Sequence, residues 1–182
     1  MSPLPVDLGG GLLLRRYTID DLEEVWAVIE AERERLRQWL PFIDLVRTIE
    51  EERGWFEHAI ADVDNLEGCG LFSDTVFLGG AALRTLDPFG VSAELGYWIR
   101  SAYEGRGIVT RACEALMRVG FGELGLHRIQ LLAATENVRS RAVAERLGMR
   151  FEGILREAER TSLGYVDHVV YALLEQEWRA RS

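Results

Sequence analysis

Apolar positions along the chain recur at two spacings, and each change of spacing marks a boundary between elements. GLLLRRYT (Gly11–Thr18) reads as a first strand. Thr18-Ile19-Asp20-Asp21 resembles a capping box, with Thr18 as the cap and Asp21 in the first turn. Leu22, Val25, Trp26 and Ile29 follow at helical spacing, and EAERERLRQW is predicted to prolong that helix towards Trp39 until Pro41 breaks it. A second box, Thr48-x-x-Glu51, opens a helix whose inner face is expected to carry Trp55, Phe56, Ala59, Ile60 and Val63. From Glu67 onward the pattern becomes that of strands: GLFSD, TVFLGGAALRTL and SAELGYWIR, punctuated by turn chemistry such as DPFG.

A helix is then predicted from about Gly107, with Ile108, Ala112, Ala115, Leu116 and Val119 facing inward. On its outer face Glu114 and Arg118 stand at the favourable spacing for an ion pair. RIQLLAAT (Arg128–Thr135) has the texture of a buried strand. NVRSRAVAERLG is a short helix capped by Asn137 and ended by Gly148. MRFEGILREAER and DHVVYALL supply two closing strands. The order β, α, α, β, β, β, α, β, α, β, β predicts a mixed α+β sheet with one βαβ crossover, expected to be right-handed, from ELGYWI through the Gly107 helix to RIQLLAAT. No linker interrupts residues 1–182, so one domain is expected.

Composition narrows the class. The chain has 182 residues, 48% of them apolar, enough for a sizeable core. A formal net charge of −9 argues against nucleic acid or an anionic membrane as partner and favours a basic or amine-bearing one. All 21 basic residues are arginine, which excludes a lysine Schiff base. Cys69 and Cys113 are read as reduced thiols, the start lacks signal-peptide architecture, and no apolar run approaches a membrane span, so a cytoplasmic protein is expected. His58, His127 and His168 are scattered and lack metal-ligand spacing, so no metal is expected.

SAYEGRGIVTRA (Ser101–Ala112) places Gly-Arg-Gly between a strand and a helix. The first turn of a helix presents unsatisfied N–H groups at the positive end of the macrodipole. Glycines there let an anion approach closely, and Arg106 can add a charged contact. A purely structural turn explains the same residues. The segment is neither a Walker A loop nor a Rossmann fingerprint.

YEGRGIVTRACEALMRVGFGELGLHRIQLLAATENVRSRAVAERLGMRFEG resembles the acetyl-CoA-binding half of the GCN5-related N-acetyltransferases (GNAT). With LRQWLPF, ELGYWI and DHVVYALLEQEW in the family's order, the likeness narrows to the RimJ/RimL branch, which acetylates protein N-terminal amines. The resemblance implies an acyl-CoA N-acyltransferase fold of about seven mixed strands flanked by about four helices on both faces. It also implies acetyl-CoA in a splay between the strands ending near Ile99 and Thr135. Trp98, Ile99, Gly105, Arg106, Gly107, Ile108, Val109, Thr110, Asn137 and Ser140 would hold it, with backbone groups near Ile99 polarising the thioester carbonyl. In the family's Q/R-x-x-G-x-G/A loop Gly107 matches, while Glu104 and Val109 depart from the pattern; Glu104 is expected to point away from the phosphates. The family's tyrosine acid falls on Ala144, so the resemblance assigns the leaving thiolate to Ser140.

Glu94 is the candidate base, with an exposed or arginine-paired strand carboxylate as the alternative, and Asp167 and His168 are read as structural. Trp39, Phe42, Tyr97 and Trp98 either border an acceptor groove or belong to the core. The implied acceptor is a protein N-terminus of ribosomal-protein type. A small amine, or a silent CoA-binding module, is the competing reading. A homodimer is compatible with the branch.

Overall fold

The computed structural model describes residues 4–62, 66–87, 89 and 91–181. Eight strands form one sheet: β1 (Val6–Gly9), β2 (Leu12–Arg16), β3 (Cys69–Ser73), β4 (Val76–Thr85), β5 (Ser92–Ile99), β6 (Arg128–Ala134), β7 (Arg150–Thr161) and β8 (Gly164–Leu174). Their spatial order is β1-β2-β3-β4-β5-β6-β8-β7. Every neighbouring pair is antiparallel except β5 and β6, which run parallel and flank the predicted crossover. The helices are α1 (Leu22–Leu36), α2 (Phe42–Leu45), α3 (Ile49–Ala61), α4 (Ile108–Gly122), α5 (Val138–Arg146) and α6 (Glu175–Arg179).

Alternation along the strands divides the apolar residues between two cores, one on each face of the sheet. Leu71 and Leu78 join α4 and α5 on one face, while their neighbours Phe72 and Phe77 join α1, α2 and α3 on the other. α4 packs Ile108, Ala112, Ala115, Leu116 and Val119 inward, as its periodicity predicts. The second capping box is formed: Thr48 Oγ1 accepts from Glu51 N at 3.3 Å and Glu51 Oε2 accepts from Thr48 N at 3.2 Å. At the first box the Asp21 carboxylate accepts from Thr18 N at 2.7 Å, but the opening turn is a short 3-10 segment that leads into α1.

Several expectations need correction. The sheet has eight strands rather than about seven, because β1 pairs with β2 through a turn in which Gly9, Gly10 and Gly11 all take positive φ. Two short helices, α2 and α6, join the four long ones. α1 ends at Leu36 rather than near Trp39, and Pro41 caps α2. α3 turns Glu52, Phe56 and Ala59 inward and leaves Trp55 at the rim, edge-on to Tyr17. Among the described residues no ion pair joins Glu114 to Arg118. Val63, Pro88 and Gly90, which the helix face and the DPFG turn had included, lie outside the described residues.

One feature of the sheet positions the site. β5 and β6 pair only from Ser92–Glu94 against Arg128–Gln130, and beyond Glu94 they diverge. β5 remains paired with β4 as far as Ile99 against Gly79. The sheet therefore opens between two strands whose other edges stay fixed.

Candidate active site

The Gly-Arg-Gly turn lies at the mouth of this opening. Gly105 (φ +73°) and Gly107 (φ +71°) are both left-handed, a conformation that penalises side-chained residues. Gly107 is the cap of α4, whose first intrahelical bond runs from Arg111 N to the Gly107 carbonyl at 3.1 Å. The N–H groups of Ile108, Val109 and Thr110 precede that bond and point out of the helix end. A Cβ built on Gly105 or Gly107 would meet no atom within 4 Å, and the two glycines with Ile108, Val109 and Thr110 line the cleft described below. The turn thus needs its glycine dihedrals, and it opens onto the cleft.

The next donors come from β5. Leu86 N donates to the Ser92 carbonyl at 2.9 Å and Arg100 N donates to the Leu78 carbonyl at 2.8 Å. Bonding residues alternate in an antiparallel ladder, so Glu94, Gly96 and Trp98 bond to β4, while Leu95, Tyr97 and Ile99 turn their backbone groups towards the opening. The Ile99 carbonyl accepts from Arg35 Nη2 at 2.6 Å. The backbone N–H of Ile99 faces the same way, as thioester polarisation requires.

Around these groups runs a cleft of about 1370 Å³ that reaches Gly105, Gly107, Asn137, Ser140, Glu94 and His168. Asn137 caps α5 by accepting from Ser140 N at 3.1 Å through Oδ1. Its Nδ2 makes no bond among the described residues. Ser140 Oγ lies 2.8 Å from the hydroxyl of Tyr97, on the face of the sheet that carries α4 and α5. Arg106 folds back, donating to the Ala102 carbonyl at 2.9 Å and lying over the Tyr103 ring. Glu104 forms ion pairs with Arg35 at 2.8 Å and with Arg139, so two guanidinium groups hold its charge at the mouth.

Glu94 lies on the opposite face, engaged by Arg84 at 3.0 Å and by Gln130 Nε2 at 3.3 Å. Gly96 beside it leaves open space where a side chain would project. Close by, His168 Nε2 lies 3.2 Å from Glu159 Oε2. Burial pushes the Glu159 carboxyl above its ordinary range, and the neighbouring Glu94 adds to the shift. An irregular bulge delivers Glu159 to this place. Register jumps from Leu155 opposite His168 to Glu159 opposite Val166, two more residues on β7 than on β8. Glu157 sits in the bulge at φ +48°, and its N–H donates to Asp167 Oδ1 at 2.7 Å.

The structure thus brings the glycine turn, Ile99, Asn137 and Ser140 into one cleft, with Glu94 at its far end. Sequence reasoning missed Glu159 as a site residue, because no local pattern announces a bulge of this size. It left Tyr97 between groove and core; the period-2 rule puts Tyr97 on the face opposite Glu94, but only the fold puts Ser140 against it.

The chemistry of this donor set fits acetyl-CoA: bare helix N–H groups for the diphosphate, inward-turned strand backbone for the pantetheine and thioester, and an open passage between faces. A family model for the acetyltransferase (GNAT) domain matches residues 11–150, and the chain belongs to that family: it is an acetyl-CoA-dependent N-acetyltransferase. The chain is 36% identical over 172 residues to the protein named "Putative ribosomal N-acetyltransferase YdaF" of Bacillus subtilis (strain 168), covering 92% of this chain and 93% of that one. It is 30% identical over 102 residues to the ribosomal-protein-serine acetyltransferase of Escherichia coli (strain K12), covering 56% and 57% of the two chains. In fold it is similar to RimL, a ribosomal L7/L12 alpha-N-protein acetyltransferase solved with coenzyme A (TM-score 0.89, 22% identity, 96% and 99% of the two chains). These relatives place it with the RimJ/RimL type.

Proposed function

We propose that the chain acetylates the N-terminal α-amine of a protein, of the ribosomal kind, in the cytoplasm. The observation that carries this reading is a cleft lined from both faces of the sheet, by Ser140 on one and Glu94 on the other, in a protein most of whose length matches a relative described as a ribosomal N-acetyltransferase.

When bound, acetyl-CoA supplies the activated acetyl group. Gly105, Gly107 and the N–H groups of Ile108, Val109 and Thr110 hold its diphosphate, with Arg106 at the rim. Backbone groups at Ile99 and the side chain of Asn137 orient the arm that carries the thioester, whereas the expected Trp98 backbone is taken up by β4. Ile99 N–H stabilises the charge that develops on the carbonyl oxygen; losing one such donor typically costs about 3–4 kcal/mol of transition-state stabilisation. Ser140 donates a hydrogen bond to the departing sulfur.

An α-amine has a pKa of about 8, so part of it is neutral at physiological pH and one proton must be collected as the amide forms. Glu94 is committed to Arg84 and Gln130, so we assign collection to Glu159 through His168, with Glu94 attracting the incoming ammonium. Burial raises the Glu159 carboxyl above its ordinary range, which strengthens it as a proton acceptor.

The test is mass spectrometry of products after adding the enzyme and acetyl-CoA to a mixed lysate. Acetylation at protein α-amines is expected. Acetyl found only on lysine side chains, or only on a small amine, would displace the acceptor assignment.

A further inference from the structure

We infer that Tyr97 is a positioning residue for the leaving-group end of the site, acting through Ser140. The inference rests on the reading of Ser140 given above and deepens it. Among the described residues the Tyr97 hydroxyl makes two hydrogen-bond contacts, both on Ser140: Oγ at 2.8 Å and the main-chain carbonyl at 3.3 Å. A phenol has one proton to donate. If that proton goes to the carbonyl, the hydroxyl accepts from Ser140 Oγ–H and the serine proton is turned inward. If it goes to Oγ, the oxygen of Ser140 is satisfied as an acceptor and its own O–H is released towards the cleft. The second arrangement also makes Ser140 a stronger donor, because hydrogen bonds in series polarise one another.

The pair therefore acts as a two-position latch. Tyr97 sits on β5 and Ser140 in the first turn of α5, so the contact crosses the opening between β5 and β6 and brings the serine up to the cleft. In the transfer step the amine nitrogen forms its bond to the acetyl carbon as the carbon–sulfur bond breaks, and that electron pair passes to sulfur. The amine's surplus proton passes through His168 to Glu159. Ser140 O–H bonds to the sulfur, Tyr97 O–H bonds to Ser140 Oγ, and the sulfur takes its proton from solvent as the product leaves. Tyr97 loses no proton: burial raises its phenol above the ordinary value and keeps it neutral. Its part is to orient Ser140 through the contacts at Oγ and the main-chain carbonyl.

Tyr97→Phe keeps the ring and its packing while removing the hydroxyl. Steady-state turnover of an N-terminal acceptor peptide is measured for the wild type, Tyr97→Phe, Ser140→Ala and the double variant, with CoA affinity by calorimetry. We expect Tyr97→Phe to lower kcat by about tenfold, the loss of one moderate hydrogen bond. CoA affinity should stay within about twofold, and the double variant should be no slower than Ser140→Ala, because residues acting as a unit are not additive. A double variant whose defect is the product of the two single defects overturns the inference. So does an unchanged Tyr97→Phe beside an impaired Ser140→Ala, which leaves the serine reading intact. An unchanged Ser140→Ala removes the serine reading, and Tyr97 with it.

Discussion

Glu52 is a carboxyl enclosed by the core that α3 builds against α1 and the sheet, 4% exposed, and burial raises its pKa from 4.5 to about 7 despite the nearby charge of Arg33. Between those two values the folded protein keeps a proton that the unfolded chain gives up. Stability must therefore fall as pH rises from about 4.5 to about 7 and stay low above that window. Glu52→Gln should flatten this part of the profile and stabilise the protein at pH 8 by about 1–3 kcal/mol, read from urea unfolding across pH. Spacing from Phe56 and Ala59 puts Glu52 on their face, yet charge alone suggests a solvated position. Its burial was legible only once Trp55 was seen to face the rim. At Gly107 the sequence was more direct. Glycines between a strand pattern and a helix pattern point to a turn that needs special dihedrals or to a close approach to the backbone, and φ +71° is found at Gly107.

At the scale of elements, β4 and β5 approach so closely that a Cβ on Gly79 would lie 2.2 Å from the Trp98 carbonyl oxygen and 2.7 Å from Ile99 Cα. This contact presses the end of β5 against β4 and so helps define the edge of the splay. Gly79→Ala is predicted to destabilise the fold by about 2–4 kcal/mol and to weaken CoA binding, measured by unfolding and calorimetry. The two adjacent glycines were read as part of a strand, but what they accommodate is a neighbour 19 residues along the chain. The β7 bulge follows the same logic. Periodicity located both closing strands, whereas Glu159 reaches His168 only because the register shifts by two residues, held by the bond from Glu157 N–H to Asp167.

For the molecule as a whole, acetyl-CoA would join parts that the chain holds separately: the end of β5, the first turn of α4 and the start of α5. Binding to the folded state alone stabilises by about 2.7 kcal/mol at a hundredfold excess over Kd. A chain of this size should then melt on the order of 5–10 °C higher with CoA present. Gly107→Glu should abolish that rise, because it places bulk and negative charge against the diphosphate; an undiminished rise would remove the turn from the binding site. The sequence by itself determined the order and type of the long elements, the crossover, and the glycine turn with the helix-start donors beside it. These follow from local spacing and from backbone dihedrals that a few residues control. Tertiary structure decided which strands separate, that Tyr97 meets Ser140, and that Glu159 and His168 stand beside Glu94. Those pairings join residues up to 74 positions apart through sheet order and a register shift, and neither is encoded in any short stretch of chain.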